Sequence, residues 1–265
     1  ELKEEGLEYN LIVRGEPVSK TSLLSTTVQT TMLLGRMLDP LKKDVSRGAW
    51  GKKIFGFTDK LDVINRWYHI EQDAEENKTL SQFRDIELVR QRKPQISRKK
   101  LKEQHRLGQV WNKVKDIDNE SLKRPLRVGI TTSQSRGVDS EAELVIATST
   151  LEVGYNDDQI GAIIQHKAPH NLASFLQRKG RAGRKRRMRP WTVVVTSAYG
   201  RDRWLYENPD YLFSPNLPEL NLPVNNIYVQ RIQAGFAVMD WLTLKLQKEK
   251  YDSFNLWKIL SPVRS

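Results

Sequence analysis

Apolar runs alternate with amphipathic stretches along most of the chain. Runs rich in β-branched and aromatic residues predict strands at 8–13, 53–57, 126–131, 143–147, 161–165 and 191–196. Apolar residues at helical spacing predict helices at about 23–38, 60–75, 171–184 and 226–248. Apolar strands that alternate with helices are typical of a parallel sheet with both faces covered. The pattern therefore predicts an α/β fold followed by a C-terminal helical extension.

Local signals indicate where these helices begin. Candidate N-caps are Ser22 for the first helix, Thr58 or Asp59 for the second, and Asn225 or Asn226 for the last. The first helix has a broad apolar face, made by Leu23, Leu24, Val28, Met32, Leu34, Met37 and Leu38. The second has apolar and aromatic residues on one side, namely Leu61, Ile64 and Tyr68 with Val63 and Trp67 beside them.

Two stretches carry weaker signals. Residues 76–125 have little periodicity and many charges, and we interpret them as an insertion or linker with one helix near 99–115. From residue 198 onward, prolines at 209, 215, 218 and 223 predict a loop that leads into the last helix.

Composition narrows the classes of site. The 265 residues include no cysteine, which excludes disulfides, cysteine-ligated zinc, iron–sulfur clusters and a cysteine nucleophile. No apolar run approaches the length of a membrane span, and the composition fits a reducing, cytoplasmic compartment. The sequence begins at Glu1 rather than at a methionine, so we expect a fragment of a longer protein.

Positive charge is concentrated in two segments. The chain has 44 Lys and Arg against 32 Asp and Glu, a net charge of +12. Residues 90–106 hold eight basic side chains and one acid, and residues 178–189 hold eight and none, so the remainder has 28 against 31, or −3. Such patches suit a nucleic acid or a nucleotide. For 90–106, a charged linker that is only solvated remains an equal alternative.

The second basic segment shows a pattern. On a helix over 171–184, Arg181 and Arg184 lie within about 40° of Gln177 around the axis. Leu172, Phe175 and Leu176 lie on the opposite side. Two arginines held one turn apart can bind separate oxygens of a phosphate chain, and Gly180 and Gly183 permit close approach of a ligand. The alternative is a basic helix that is only solvated.

Three stretches resemble motifs of superfamily 2 helicases. Gln177–Arg184 reads Gln-Arg-Lys-Gly-Arg-Ala-Gly-Arg and resembles the QRxGRxGR signature called motif VI. Val145–Gly154 resembles motif V, and Ile54–Asp59 followed by a helix is similar to motif IV. The motifs come in the family's order, and the resemblance covers about residues 52–200. It implies the second, C-terminal RecA-like lobe, a parallel sheet with helices on both faces.

The resemblance implies a domain division and a narrower relationship. We expect 1–50 to connect from a first lobe, 51–205 to form the second lobe with its insertion at 76–125, and 206–265 to form a Pro-rich loop and helical extension. The strings Gly154-Tyr155-Asn156-Asp157 and Gln165-His166-Lys167-Ala168-Pro169, leading to Phe175-Leu176-Gln177, look more particularly like the helicase subunit of the DISARM anti-phage system and its relatives. On this resemblance another defence-system subunit is an expected partner.

Roles for individual residues follow from the motif positions. Arg181 and Arg184 would contact the ATP γ-phosphate, with Arg184 as the arginine finger, and Gln177 would place nucleotide or water. Gly154 would allow a tight turn beside the ligand. The hydroxyl residues Thr148, Ser149 and Thr150 would contact the nucleic-acid backbone, and Lys99, Lys100 and Lys102 are further candidates for it.

One position departs from the family pattern. The family usually has Asp two residues after the glycine of motif V, near the ribose or phosphates. This chain has Asn156 there, followed by Asp157 and Asp158. Either Asp157 takes the role, or the contact is neutral.

Half of an ATPase site is missing from this sequence. Such a site needs a phosphate-binding loop with Lys and an acidic Mg²⁺ site. Arg14–Thr21 lacks the glycines of a P-loop, and Asp73–Glu76 resembles DExx only in its letters. Because Pro169 separates His166 from His170 in a loop, we predict no metal site there. ATP and Mg²⁺ are expected with the Mg²⁺ ligands on the first lobe.

Three hypotheses follow. The first is the second motor lobe of an ATP-dependent helicase or translocase that acts on DNA or RNA, with DNA favoured. The second is a non-catalytic lobe that only binds nucleic acid, and the third is an inactive lobe that docks a partner protein through the 226–248 helix. The paired arginines favour the first, whereas the third predicts an exposed apolar face on the last helix.

Overall fold

The computed structural model describes residues 7–15, 20–112, 114–115, 125–131, 139–148, 156–214 and 226–248. By its own contacts the chain divides into two units, Glu1–Leu217 and Pro218–Ser265, and each is described by itself. The sequence placed divisions near residues 50 and 205 instead. The first of these is absent because the strand and helix before residue 50 belong to the sheet and core of the first unit.

Six described strands form one parallel sheet in the order β1-β6-β5-β2-β4-β3. Their bounds are Tyr9–Arg14 (β1), Lys53–Phe57 (β2), Val128–Thr131 (β3), Leu144–Ala147 (β4), Ile160–His166 (β5) and Trp191–Thr196 (β6). Each lies within two residues of its predicted position. All five pairings are parallel, and this confirms the RecA-like α/β fold.

The described helices of the first unit are Lys20–Met37 (α1), Leu61–Glu76 (α2), Thr79–Arg84 (α3), Ile86–Arg92 (α4), Arg98–Arg106 (α5), Leu172–Lys179 (α6), Gly200–Glu207 (α7) and Pro209–Phe213 (α8). The second unit contributes Ile227–Lys248 (α9). No described helix has the length and hydropathy needed to cross a membrane.

The core lies on both faces of the sheet, and strands β2, β4 and β5 are buried along their whole length. Ile54, Leu144 and Ile164 of the strands pack with residues of α1 and α2, including the fully buried Trp67. On the other face, Val194 packs with a cluster from α6, α7 and α8 that contains Phe175. Burying such side chains contributes roughly 1.5–3 kcal/mol each, which explains why this part of the apolar pattern predicted the fold correctly.

Several helix details differ from the prediction. α1 begins at Lys20, so Ser22 lies inside its first turn, and Met37 is exposed rather than part of the apolar face. α2 follows Lys60 and has no side-chain cap, and its first residue, Leu61, is exposed. Asp59, one of the two proposed caps, binds other groups described below.

The charged stretch 76–125 contains more helix than predicted. The expected helix near 99–115 is α5, which ends at Arg106 and is followed by Gly108 with φ +68. α3 and α4 were missed because they are only 6 and 7 residues long and mostly polar. Asp85 caps α4 by accepting hydrogen bonds from Glu87 N and Leu88 N.

The region after β6 is helical, where the prolines predicted a loop. α7 and α8 occupy residues 200–213, and Pro209 lies in the first turn of α8, where a missing N–H costs no helical hydrogen bond. In the second unit, Asn226 Oδ1 accepts hydrogen bonds from Tyr228 N (2.9 Å) and Val229 N (3.4 Å). This confirms Asn226 as one of the two proposed caps.

Candidate functional site

The predicted helix 171–184 ends early. α6 begins after Asn171, whose side chain accepts from Ala173 N, and it ends at Lys179 with Gly180 as its C-cap. Gly183 has φ +73, and a Cβ atom there would lie 2.5 Å from Pro190 Cγ. The single arginine stripe along a continuous helix is therefore wrong: Arg181 and Arg184 lie on a turn beyond the helix, which we name the arginine segment (180–184).

The arginine segment still brings its two arginines close together. Burial, with the positive charge of Arg184, lowers the pKa of the Arg181 guanidinium below its ordinary value. Arg184 is exposed, donates from Nε to Gly180 O at 3.2 Å, and donates from Nη1 to Asn156 Oδ1. The segment is attached to the sheet by Gly183 N, which donates to Ile160 O at 3.1 Å.

Asn156 and Asp157 face different partners. Asn156 contacts Arg184, whereas Asp157 pairs with Lys53 Nζ at 2.9 Å and caps the following turn through Gln159 N. At the position where the chain departs from the family pattern, it is therefore the neutral Asn156, and not Asp157, that contacts the arginine segment. Gln177 is exposed on α6.

The residues predicted for the nucleic-acid backbone are only partly described. Thr148 directly follows β4 and is half-buried at the carboxyl end of the sheet. Ser149, Thr150 and Gly154 lie outside the described residues. The arginine segment lies instead beside Ile160, where β5 begins, so the structure does not bring Thr148 and the arginines to one edge of the sheet.

Lys99, Lys100 and Lys102 are exposed on α5, while Leu101 is buried. Beside them, α4 and α5 line a cavity of about 980 Å³ to which Arg90, Arg98 and His105 also contribute. The acid Glu87 is in the same lining. This surface is therefore basic. Among the described residues, no acid forms an ion pair with Lys99, Lys100 or Lys102.

Sequence reasoning missed the buried member of the second basic segment. Arg178 is 3% exposed and lies beneath the surface, where its guanidinium binds Asp59 and Gln165. A sequence signal was available: Arg178 follows the buried Phe175 by three residues, so both lie on one side of α6. The segment 178–189 is thus not uniformly a surface patch.

The two histidines at the end of β5 lie in different surroundings. His166 is buried, and its Nδ1 lies 2.8 Å from Thr27 Oγ1; burial lowers its pKa to about 4. His170 is exposed, and its backbone N donates to Asp59. No cluster of three potential ligands occurs among the described residues.

Of the two stretches that superficially resemble ATPase motifs, Asp73–Glu76 lies at the C-terminal end of α2. Glu75 accepts two hydrogen bonds from Arg36, at 2.5 and 2.9 Å, and a third from Leu126 N. It is therefore a structural residue at the end of α2. Residues 16–19 of the Arg14–Thr21 stretch lie outside the described residues.

Comparison with protein families finds a match over part of the chain. Residues 70–186 match the family described as the helicase conserved C-terminal domain. Over these residues the chain is similar to the C-terminal RecA-like lobe of superfamily 2 helicases, and we call the unit that contains them the helicase lobe. The matched part of this helicase lobe runs from α2 through the arginine segment, and it includes both the motif V and the motif VI stretches.

Individual proteins show weaker similarity to the helicase lobe. The ATP-dependent helicase hrq1 of Schizosaccharomyces pombe is 29% identical over 105 residues, which are 38% of this chain and 10% of that protein. The DUF1998 helicase MrfA bound to DNA has a TM-score of 0.46 at 14% identity, covering 88% of this chain and 24% of that one. Mycobacterium smegmatis Lhr, bound to ssDNA and AMP-PNP, has a TM-score of 0.49 at 14% identity, covering 83% and 23%.

The chain thus spans about a tenth of the length of the curated relative and about a quarter of the two solved structures. Its similarity to helicases rests on the family match over residues 70–186 and on the order of its motifs.

Proposed function

We propose that this helicase lobe is the second motor lobe of an ATP-dependent nucleic-acid helicase or translocase, with Arg184 as its arginine finger. The observation that carries the proposal is that Arg181 and Arg184 lie on one short segment after α6, where Arg181 N donates to Arg178 O at 3.0 Å and Arg184 Nε donates to Gly180 O at 3.2 Å. Two like charges repel, so a turn that holds them together is suited to a ligand with several negative oxygens.

The arginine segment fits the polyphosphate of ATP by its chemistry. ATP bound with Mg²⁺ would supply the phosphoryl group, and the Mg²⁺ ligands are expected on the first lobe. Arg184 would stabilise negative charge that develops during transfer, because its guanidinium is exposed and always charged. Arg181 would bind a neighbouring oxygen, and the exposed Gln177 would orient nucleotide or water. Gly154 and Asn156 would form the adjoining edge, while Asp157 stays paired with Lys53.

Nucleic acid would bind through two groups of residues. Thr148, Ser149 and Thr150 would donate hydroxyl and amide hydrogens to the phosphate backbone at the carboxyl end of β4. Lys99, Lys100 and Lys102 would add a sequence-independent electrostatic contact on α5. DNA is the favoured partner, and a first RecA-like lobe of the same protein completes the motor.

The proposal is tested in the full-length protein with Arg184→Ala, measuring ATP turnover and nucleic-acid affinity. We expect turnover to fall roughly a thousandfold with folding and affinity nearly unchanged, as for lost arginine fingers generally. Arg184→Lys should rescue little, because an ammonium cannot replace the planar fork. Arg186→Ala, at an exposed arginine two residues away, is the matched control. Unchanged turnover in Arg184→Ala would overturn the assignment.

The other two hypotheses predict different results. A lobe that only binds nucleic acid, or docks a partner through α9, would show no dependence of ATP turnover on Arg184. A place in anti-phage defence beside another subunit is a further proposal, supported by the resemblance of residues 154–177 alone.

A further inference from the structure

Arg178 is buried against residues of β5, of β2 and of the loop after β2. Its Nη1 donates to Gln165 Oε1 on β5 at 2.8 Å, and its Nη2 donates to Asp59 Oδ1, after β2, at 2.6 Å. The guanidinium carbon also lies 5.4 Å from the ring centroid of Phe57 on β2. A buried guanidinium requires such partners, so its position is tightly defined.

Asp59 connects both ends of α6 to the sheet. While its Oδ1 accepts from Arg178 near the C-terminal end of α6, its Oδ2 accepts from the backbone N of His170, just before α6 begins, at 3.1 Å. One carboxylate therefore holds the helix at its start and at its last turn. This explains why Asp59 does not cap α2, although it precedes that helix by two residues.

The arginine segment begins directly after Arg178. Arg181 N donates to Arg178 O at 3.0 Å, and Gly180 N donates to Leu176 O at 2.9 Å. At the other end, Gly183 N binds Ile160 O, and Ala182 packs in the cluster that contains Phe55. The turn that carries Arg181 and Arg184 is thus fixed between the buried Arg178 and the beginning of β5.

From this geometry we infer that Arg178 and Asp59 are positioning residues that hold the arginine segment in the place where Arg181 and Arg184 can act. The inference rests on the proposed function, which assigns the ATP contact to those two arginines. A displacement of about 1 Å can cost on the order of a hundredfold in rate, so a buried anchor one turn away affects catalysis without contacting the substrate.

The helicase lobe contains a matched control for a merely structural role. Arg36 and Glu75 form another buried ion pair, with side chains 3% and 0% exposed, in the core on the side of α1 and α2. Breaking either pair leaves a buried charge without its partner, so both should destabilise the fold. Only the Arg178–Asp59 pair is next to the arginine segment.

The experiment compares Arg178→Lys and Asp59→Asn with Arg36→Lys and Glu75→Gln in the full-length protein. We expect the first two to lower kcat per folded molecule by about tenfold or more with nucleic-acid Kd unchanged, whereas the controls stay within about twofold. Hydrogen exchange of this chain gives a readout besides activity. The amides of Gly180 and Gly183 should exchange faster in Arg178→Lys and not in Arg36→Lys.

Equal kcat and equal exchange in the two sets would overturn the inference. Arg184→Ala separates this outcome from failure of the proposed function. If Arg184→Ala abolishes turnover while Arg178→Lys behaves like Arg36→Lys, only the positioning role fails. If Arg184→Ala leaves turnover intact, the assignment of the arginine finger fails, and the exchange data alone then decide whether Arg178 fixes the segment.

Discussion

Arg184 donates a hydrogen bond to the side-chain oxygen of Asn156, the residue two positions after the motif V glycine. Because the Asn156 side chain is neutral, it does not offset the positive charge that Arg184 presents to a phosphate. An aspartate at this position would form an ion pair with Arg184, and hydrogen bonds to ionised acceptors are roughly twice as strong as neutral ones.

Asn156→Asp should therefore lower ATP turnover of the full-length protein, by about three- to tenfold, because Arg184 must leave a stronger partner to reach phosphate. Steady-state kinetics with varied ATP measure the effect. Asn77→Asp, at the exposed end of α2, is the control for an added charge. Faster turnover in Asn156→Asp would show that the side chain at 156 acts on the nucleotide and not on Arg184.

The isolated chain should not turn over ATP, and its affinity for nucleotide should be weak. The reason is that this sequence contains no convincing P-loop lysine and no acidic Mg²⁺ site, while the arginine segment supplies only one side of the proposed site. Phosphate release from purified 1–265, compared with the Arg184→Ala variant of the same chain, tests the expectation. Steady turnover that is lost in the variant would contradict it.

The central strands were predictable because a strand that is buried on both faces appears in the sequence as a short apolar run. Ile160–His166, which is buried at every position, is an example. The arginine segment was not predictable from the pattern: α6 stops at Lys179, and Gly183 takes a left-handed conformation with φ +73. Likewise, Arg178 binds Asp59, which is 119 residues away in sequence, so the local pattern could not reveal this partner. The basic composition around Arg178 therefore predicted a surface patch. The family resemblance named Arg181 and Arg184 as candidates for the ATP contact, and only the structure identified the buried Arg178.

Lys99, Lys100 and Lys102 should weaken nucleic-acid binding when neutralised together as glutamines. Each lost phosphate contact should reduce the slope of log affinity against log salt by about one unit. Affinity measured at several salt concentrations gives the slope. The control is Lys42→Gln with Lys43→Gln, two exposed lysines outside both basic segments. An unchanged slope would mean that the α5 surface is only solvated.

Phe175→Ala should lower the free energy of unfolding by roughly 3–5 kcal/mol, because Phe175 is fully buried and a cavity would remain. Urea denaturation measures this value. Leu176→Ala, at the neighbouring and only partly buried position, should cost less. Arg184→Ala should leave the unfolding curve almost unchanged, since its side chain is exposed. A loss in Arg184→Ala as large as that in Phe175→Ala would make Arg184 a structural residue.

His166 should make the fold sensitive to acid. Burial, with a smaller effect from Lys167, lowers its pKa in the folded state from 6.5 to about 4. Between these values the unfolded chain binds the proton and the folded chain does not, so stability falls as pH falls from about 6.5 to about 4. The full difference corresponds to roughly 3 kcal/mol. Glu71 acts in the opposite direction, because burial and the charge of Glu75 raise its pKa.

The contribution of His166 is therefore isolated by comparing the protein with His166→Gln. Chemical denaturation at pH 7 and at pH 5 gives the change in unfolding free energy for each. Although the substitution disturbs the contact with Thr27 at both pH values, that loss cancels when each protein is compared with itself. We expect the decrease on acidification to be smaller in His166→Gln, since only the original protein buries a group that must bind a proton on unfolding. An equal or larger decrease in the variant would show that His166 is already protonated in the folded state at pH 5.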